Sequence, residues 1–265
     1  MSHTNLDPLT PTCRNALVVM ARLPRAGRCK TRLCPPLSEE DAAGLYRAFL
    51  CDIGRLLAEW DGKADLFVAW ADDPGTEEEL ATIERGHEED LDQTITDHSP
   101  PLALRSIFPP RTRFLRQRGE SLTTRMEGIF GRLFEAGYGH IVMRNSDSPH
   151  LPLQVIDQAF SHLARGPAGE VVLGPDLDGG FYLVGLNADS SGLFPSTMST
   201  ETVFQQTVHN AQAADRSVSL LEPFLDIDSA DDLRLFWLEF GGRANVRDWS
   251  TWRRLNGTAI MELLE

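Results

Sequence analysis

The sequence predicts an α/β fold built on a mostly parallel sheet that helices cover on both faces. Short apolar runs such as residues 16–21 and 171–173 have the length and composition of buried strands. Segments with apolar residues at helical spacing lie between such runs, and residues 122–135 are the clearest of them. Strands that alternate with helices of this length indicate right-handed crossover connections. Because no segment resembles a linker or an internal repeat, we expect a single domain.

The first elements are predicted by their boundaries as well as by their apolar residues. The strand at residues 16–21 leads through a short basic loop to a helix that starts after Ser38, where the following acids suggest a capping box. Gly62 ends this helix, and residues 64–71 have the composition of a second strand. The acidic segment 72–97 has little apolar content, so we interpret it as a solvated surface helix and loop.

The second half of the chain continues the alternation. Apolar residues at helical spacing, beginning with Leu122, give the helix at residues 122–135 one face toward the core, and residues 140–143 form the next strand. Pro152 opens the following helix, because a proline in the first turn loses no hydrogen bond. Two further apolar runs, at residues 171–173 and 181–186, predict the strands that follow.

Composition excludes several classes of function. The 265 residues include 25 basic and 39 acidic side chains, and this formal net charge of -14 argues against a nucleic-acid partner. No apolar run approaches the roughly 18 residues of a membrane span, and the start of the chain lacks the pattern of a secretory signal. The 4 cysteines have neither disulfide nor zinc spacing. We therefore expect a cytoplasmic protein that binds no membrane.

A basic loop inverts this charge balance directly after the first strand. Residues 22–32 contain five basic side chains and no acid, together with Pro24 and Gly27, which favour a tight and irregular path. Loops at the carboxyl end of the first strand hold phosphates in α/β proteins, so the segment predicts a site for a small anionic ligand. The glycine spacing of a P-loop or a dinucleotide-binding loop is missing, which argues against those two classes.

Two acidic clusters could supply metal ligands. Asp147 follows an apolar strand and precedes Pro149, which places its carboxylate in the crevice where open α/β sheets bind ligands. One or two carboxylates, completed by phosphate oxygens of the ligand, suit Mg²⁺. Asp226 and Asp228 are candidates for a second ligand, whereas Ser229 and the acids after it suit helix capping. The alternative role for Asp147 is a hydrogen bond to the backbone in a turn.

A glycine-rich turn is the third candidate. Asp178, Gly179 and Gly180 lie between two predicted strands. Glycines let backbone amides approach a ligand closely, and the carboxylate can accept hydrogen bonds from the hydroxyl groups of a sugar or a phosphorylated acid. An ordinary turn explains the same residues, because Asp-Gly is a strong turn signal.

Six short motifs occur in an order that resembles a known family. They are Lys30-Thr-Arg-Leu33, Gln117-x-Gly119-x-x-Leu122-x-x-Arg125-Met126, Ser146-Asp-Ser-Pro149, Gly174-Pro-x-x-Asp178-Gly-Gly-Phe-Tyr-Leu183, Ser199-Thr-Glu-Thr202 and Asp226-x-Asp228-x-x-Asp231-Asp-Leu233. Together they resemble the DUF2064 family, whose members are provisionally named nucleotide-diphospho-sugar transferases or glycosyltransferases. The resemblance spans residues 16–235, so we expect residues 1–15 to be an extension and residues 236–265 to be a helical tail packed on the same domain.

The resemblance implies a GT-A fold, a Rossmann-like three-layer α/β/α arrangement around a mostly parallel mixed sheet. It also implies a transferase, assisted by Mg²⁺ or Mn²⁺, that moves a sugar from a nucleotide-diphospho-sugar to a small acceptor. The family is similar as well to molybdopterin and phospholactate nucleotidylyltransferases, which take the nucleotide from an NTP and release pyrophosphate, so this reaction stays open. A GT-A protein that binds a nucleotide without catalysis is a further alternative.

The resemblance further implies roles for individual residues. Asp147 and Asp228 would bind the metal, and Lys30 with Arg32 would clamp the phosphates. Asp178 would contact the sugar or acceptor, and an acid there could also take the acceptor proton. The catalytic set is Lys30, Asp147 and Asp178, the nucleotide- and phosphate-binding set is Arg22, Gly27, Arg28, Lys30, Arg32 and Arg125, and the substrate-binding set is Asp178, Gly179, Gly180 and Thr200.

Three residues near Asp147 depart from the family pattern. Asn145 stands where the family usually has a glycine, Arg144 lies beside it, and His150 stands where an acid is common. Asparagine cannot supply the first carboxylate of a paired metal site. We therefore expect weakened metal binding. Alternatively, Arg144 turns into the site and its guanidinium replaces part of the charge of the metal.

Overall fold

The described part of the chain folds around one central sheet. The computed structural model describes residues 9–71, 102–198, 200–256 and 262, and within them it contains seven strands and seven α-helices. The strands are β1 (Asn15–Arg22), β2 (Asp65–Ala71), β3 (Arg113–Arg116), β4 (His140–Arg144), β5 (Val171–Pro175), β6 (Phe181–Leu186) and β7 (Val218–Leu220). The helices are α1 (Glu39–Glu59), α2 (Leu102–Arg105), α3 (Leu122–Glu135), α4 (Leu153–Arg165), α5 (Val203–Ala213), α6 (Ala230–Phe240) and α7 (Ser250–Asn256).

The seven strands pair in the order β3-β2-β1-β4-β6-β5-β7. Among these strands only β6 runs in the opposite direction, antiparallel to its neighbours β4 and β5. The chain moves outward from β1 through β2 to β3 and then returns to the other side of β1 with β4. The carboxyl ends of β1 and β4 therefore border the topological switch point, where open α/β sheets bind ligands.

Each face of the sheet carries its own hydrophobic core. On one face, Leu17 and Val19 of β1 pack with residues of α1, α2, α4, α6 and α7. On the other face, Ala16 and Val18 pack with residues of α3 and α5. All four β1 side chains are fully buried, as expected for a parallel strand between two helical layers. The result is the predicted three-layer α/β/α fold with a mostly parallel mixed sheet.

The predicted elements are confirmed with a few differences. The sequence pattern does not predict β3 and β7, which have four and three residues and are too short to show a period. Leu122 is 44% exposed rather than core-facing, because it is the first residue of α3. Pro152 is the N-cap of α4 and lies just outside the helix. The acidic segment 72–97 lies outside the described residues.

The last described helix packs against α1. Asp52 of α1 accepts hydrogen bonds from the backbone N–H groups of Ser250 and Thr251, at 2.7 and 2.8 Å. Arg254 of α7 forms an ion pair of 2.8 Å with Asp41. These contacts support the proposal that the C-terminal residues belong to the same domain. None of the described helices has the length and apolar character needed to cross a membrane.

Candidate active site

Side chains from four separate segments meet at the switch point. Lys30 of the basic loop lies between Asp147, which follows β4, and Asp228, which precedes α6. The Nζ atom of Lys30 lies 2.5 Å from Oδ1 of Asp147 and 2.7 Å from Oδ1 of Asp228. Arg32 extends the cluster, because its Nη1 atom lies 3.7 Å from Asp228 and its Nη2 atom lies 4.0 Å from Asp178. Five residues from four sequence motifs therefore form one cluster.

Lys30 is a buried and fully bonded ammonium. Its backbone has a left-handed φ of 51°, and its side chain is 4% exposed. Besides the two carboxylates, Nζ donates to the backbone oxygen of Ile227 at 2.7 Å, so its three N–H groups all have acceptors. Burial by itself lowers the pKa of Lys30, but the charges of Asp147 and Asp228 outweigh that effect and raise it above its ordinary value. The ammonium therefore neutralises the two carboxylates that are predicted to bind the metal.

Arg32 and Asp178 form the open side of the cluster. Their side chains are 67% and 56% exposed, and the separation of 4.0 Å between them makes a weak, solvated pair. Such exposed pairs contribute little to stability, so both groups can exchange partners when a ligand arrives. Arg32 can therefore reach an anionic ligand, and the carboxylate of Asp178 can reach a hydroxyl group.

A buried polar network holds the loop that carries Asp147. Asn145 donates from Nδ2 to one oxygen of Asp226 at 2.6 Å, and the hydroxyl of Ser148 donates to the other oxygen. The backbone N–H of Ile227 donates to the carbonyl of Asp147 at 3.0 Å. Burial and then the charge of Asp147 raise the pKa of Asp226 to about 8, so this carboxyl group is mostly protonated at neutral pH. Asp226 thus fixes the loop, with both oxygens engaged away from the cluster.

Arg144 lies beneath the same loop. It is 1% exposed and donates to the backbone oxygens of Asn145 and Ser148 at 2.9 and 2.6 Å. Burial lowers its pKa to about 10, although the charges of Asp226 and Asp147 act in the opposite direction. The guanidinium is therefore charged at neutral pH but turned into the protein. Arg144 would neutralise phosphate only if its side chain turned into the site, and in this structure it does not.

The sequence pattern did not reveal the role of Tyr46. This residue of α1 is buried, and its hydroxyl accepts the backbone N–H of Arg22 at 2.9 Å and hydrogen-bonds to Ser146 at 2.8 Å. Burial and then the charge of Asp147 raise its pKa to about 12. Tyr46 thereby ties the end of β1 to the loop after β4. Helical spacing places Tyr46 on a buried face, but spacing cannot show what its hydroxyl binds.

The β5–β6 turn is shaped by contacts with backbone. Gly179 has φ 88°, and a Cβ atom there would lie 2.0 Å from the backbone oxygen of Glu201. Gly180 donates its N–H to Oδ1 of Asp176 at 2.7 Å. The amide of Gly180 is therefore bonded within the turn and does not face a ligand. The turn is fixed against the segment that carries Thr200, and Asp178 projects from it.

The remaining predicted binding residues lie in the basic loop, in α3 and in the segment before α5. Gly27 has φ 69°, and a Cβ atom there would meet the carboxylate of the first residue of α1 at 2.9 Å. Arg22 and Arg28 are exposed. Arg125 of α3 is partly buried and donates from Nε to a backbone oxygen at 2.9 Å. Thr200 is exposed, with its hydroxyl 3.1 Å from that of a neighbouring threonine.

Asp147 and Asp228 are the residues that fit a divalent cation. Their side chains are 33% and 34% exposed, and their Oδ1 atoms already share one cation, the ammonium of Lys30. Two carboxylates with phosphate oxygens of a ligand are a common Mg²⁺ coordination set. Within the described residues, no group of three or more histidine, cysteine or acidic side chains is arranged to hold a metal. A divalent ion held by these two carboxylates would complete its coordination with water or with oxygens of a ligand.

Comparison with known families agrees with the motifs. Residues 79–206 match the model of DUF2064, described as an uncharacterized protein conserved in bacteria. The resemblance to DUF2064 is confirmed over this segment. The matched segment contains Asp147, Asp178 and Thr200, whereas Lys30 and Asp228 lie outside it. No curated protein sequence matches the chain significantly.

One solved structure shows the same fold. A crystal structure from Desulfovibrio desulfuricans G20, provisionally named a nucleotide-diphospho-sugar transferase, has a TM-score of 0.73 and 24% identity over 95% of this chain and 96% of that chain. This similarity confirms the GT-A-like fold. A synthetase of CMP:2-keto-3-deoxy-manno-octonic acid, complexed with CTP, has a TM-score of 0.46 and 11% identity over 86% and 99% of the two chains. Rv0371C from Mycobacterium tuberculosis H37Rv, complexed with manganese, has a TM-score of 0.35 and 16% identity over 84% of this chain and 98% of that chain.

Proposed function

We propose that this protein is a glycosyltransferase that transfers a sugar from a nucleotide-diphospho-sugar to a small acceptor. One observation carries the proposal: a basic loop, two carboxylates that share one cation, and a further exposed carboxylate meet at the switch point of the sheet. Lys30, Asp147 and Asp228 form the inner part, and Arg32 connects them to Asp178. The provisional name of the Desulfovibrio desulfuricans protein, which has the same fold, supports the same class of reaction.

The difficult step in sugar transfer is the departure of the nucleoside diphosphate. Negative charge grows on the diphosphate as the bond to the sugar breaks, and cations fixed in advance lower the barrier. Arg32 is exposed at the mouth of the cluster, and Arg22 and Arg28 lie exposed on the same basic loop. We therefore assign the diphosphate to this side of the site.

The two inner carboxylates would hold the metal. Mg²⁺ or Mn²⁺ bound there would neutralise phosphate oxygens and stabilise the leaving group. The segments that carry Asp147 and Asp228 are joined to each other, because the backbone N–H of Ile227 donates to the carbonyl of Asp147 at 3.0 Å. The network of Asn145 and Asp226 then keeps the first of these carboxylates directed at the crevice.

Asp178 is suited to receive the acceptor. Its carboxylate is more than half exposed in the β5–β6 turn, and the guanidinium of Arg32 lies between it and Asp228. In a transfer with inversion it would take the proton of the attacking hydroxyl. The exposed hydroxyl of Thr200 lies on the segment packed against this turn, where it could bind the sugar or the acceptor.

A substrate panel tests this proposal. Purified protein is incubated with nucleotide sugars and Mg²⁺ or Mn²⁺, and the released nucleoside diphosphate is measured; parallel samples contain NTPs and are assayed for pyrophosphate. Release of nucleoside diphosphate supports sugar transfer. Release of pyrophosphate would replace the proposal with nucleotidyl transfer, and binding without either product would replace it with a non-catalytic nucleotide-binding role.

Two variants connect the product to the site. Asp147→Asn keeps the shape of the side chain and removes its charge, so we expect product release to fall by about 100-fold or more. Asp231→Asn is the matched control, because Asp231 is 86% exposed and pairs with Arg234 on the surface of α6. Equal activity of Asp147→Asn and the control would separate the reaction from this site.

A further inference from the structure

The Lys30 ammonium occupies a position where a divalent cation would also bind. Its three N–H groups point to Asp147, Asp228 and the backbone oxygen of Ile227, at 2.5, 2.7 and 2.7 Å. The lysine side chain is 4% exposed, whereas each carboxylate keeps about a third of its surface open. The carboxylates thus face the ammonium on one side and the solvent on the other.

The ammonium and a divalent ion compete for the same oxygens. Mg²⁺ needs oxygens at about 2.0–2.1 Å, and a metal bound by the two inner oxygens would lie within a few ångströms of Nζ. Two cations at that distance repel strongly in a partly buried site. The inner oxygens of Asp147 and Asp228 can therefore serve Lys30 or the metal, but not both.

Lys30 has a second set of partners available when a ligand is bound. It belongs to the same loop as Arg28 and Arg32, on the side of the cluster that we assign to the diphosphate. A lysine is a compact charge on a flexible stem, and rotation of that stem moves Nζ by several ångströms without unfolding the loop. Phosphate oxygens would then replace the carboxylates as its acceptors.

We propose that Lys30 is an exchangeable internal cation. In the free protein it neutralises Asp147 and Asp228, and it moves to the phosphates when a divalent metal arrives as its complex with a nucleoside diphosphate group. This inference rests on the proposed function and adds to it the form of the ligand, a metal-diphosphate complex. It follows that metal alone binds weakly, because it must displace an ammonium that has no other acceptor.

Equilibrium binding of Mn²⁺ tests the exchange without any turnover. Protein-bound Mn²⁺ is measured by electron paramagnetic resonance for the wild type and for Lys30→Met, which keeps the apolar stem and removes the charge. We expect Lys30→Met to bind Mn²⁺ alone at least about tenfold more tightly than the wild type, a value within the usual range of coupling between sites. Equal affinities would overturn the proposal.

A double variant shows where the ion binds. Adding Asp228→Asn to Lys30→Met removes one of the two carboxylates, so the gain in Mn²⁺ affinity should disappear. If the double variant keeps the gain, the ion lies elsewhere and the exchange is refuted. Lys30→Arg keeps a cation in the loop and should bind Mn²⁺ alone as weakly as the wild type does; tight binding by this variant would also contradict the proposal.

The wild type provides a test that does not depend on the folding of any variant. Mn²⁺ retained by the protein is compared without and with inorganic pyrophosphate, and we expect retention only when pyrophosphate is present. Equally tight retention of Mn²⁺ alone would overturn the exchange. Because Mn²⁺ binding is measured without turnover, failure of the exchange can be distinguished from failure of the proposed function, which is judged by the release of nucleoside diphosphate.

Discussion

His150 should make the protein sensitive to acid. Its ring is 5% exposed and lies 4.7–5.0 Å from the rings of Phe224, Phe236 and Phe240, so it joins the loop after β4 to α6. Its Nδ1 atom is buried and has no hydrogen-bond partner among the residues that the structure describes. Burial lowers the pKa of His150 from 6.5 to about 3, and the positive charges of Arg144 and a second arginine act in the same direction.

The effect on stability follows from the difference between the pKa of His150 in the folded protein and its pKa in the unfolded chain. The pKa of His150 is lower in the folded protein than in the unfolded chain, so the unfolded chain takes up the proton first as the pH falls. Stability from this residue is therefore complete above pH 6.5 and declines toward pH 3. A pH of about 4.5 lies two units below the pKa of His150 in the unfolded chain. At roughly 1.4 kcal/mol per unit, the free energy of unfolding is then lower by about 3 kcal/mol.

Urea unfolding at about pH 7 and 4.5 measures this loss. The comparison is made between the wild type and His150→Leu, because all other titrating groups are common to both proteins and cancel. We expect the wild type to lose about 3 kcal/mol more than His150→Leu between the two pH values. His209→Gln, which removes an exposed imidazole on α5, should behave as the wild type does. If the wild type and His150→Leu lose the same free energy of unfolding between the two pH values, protonation of His150 does not destabilise the protein.

Further predictions concern activity and local stability. Lys30→Ala should lower product release by about 100-fold or more, and normal turnover would remove the basic loop from the mechanism. Asp52→Ala leaves two buried N–H groups of α7 without their acceptor, so the free energy of unfolding in urea should fall by about 1–3 kcal/mol; an unchanged value would show that α7 does not depend on this contact. Gly179→Ala should destabilise the protein more than Gly192→Ala, because both have positive φ but only the first would meet a backbone oxygen. Equal losses of thermal stability would contradict the contact at Gly179.

The fold was predictable because its strands are buried on both faces. β1 and β5 are nearly continuous apolar runs, which is how strands of a parallel sheet appear in a sequence. β7 lies at the edge of the sheet and has only three residues, two partly buried and one exposed, so it leaves no such signal. Its place follows from the whole sheet and not from local propensity.

The candidate site was predictable in its members but not in its pairing. Strand ends and loop chemistry indicate Lys30, Asp147 and Asp228 separately, because each lies beside a recognisable element. Their ion pairs join residues 117 and 198 positions apart in the chain, and no local pattern encodes such a contact. The hydrogen bond between Tyr46 and Ser146 was hidden for the same reason.

The decisive measurement is a crystal structure with a nucleoside diphosphate and Mn²⁺ bound. We expect the phosphates to lie against the basic loop at the carboxyl ends of β1 and β4, with Arg32 and Lys30 as donors. We expect the metal on Asp147 and Asp228, in the place that Lys30 now occupies. A nucleotide bound elsewhere, or phosphates out of reach of both basic side chains, would contradict the proposed site.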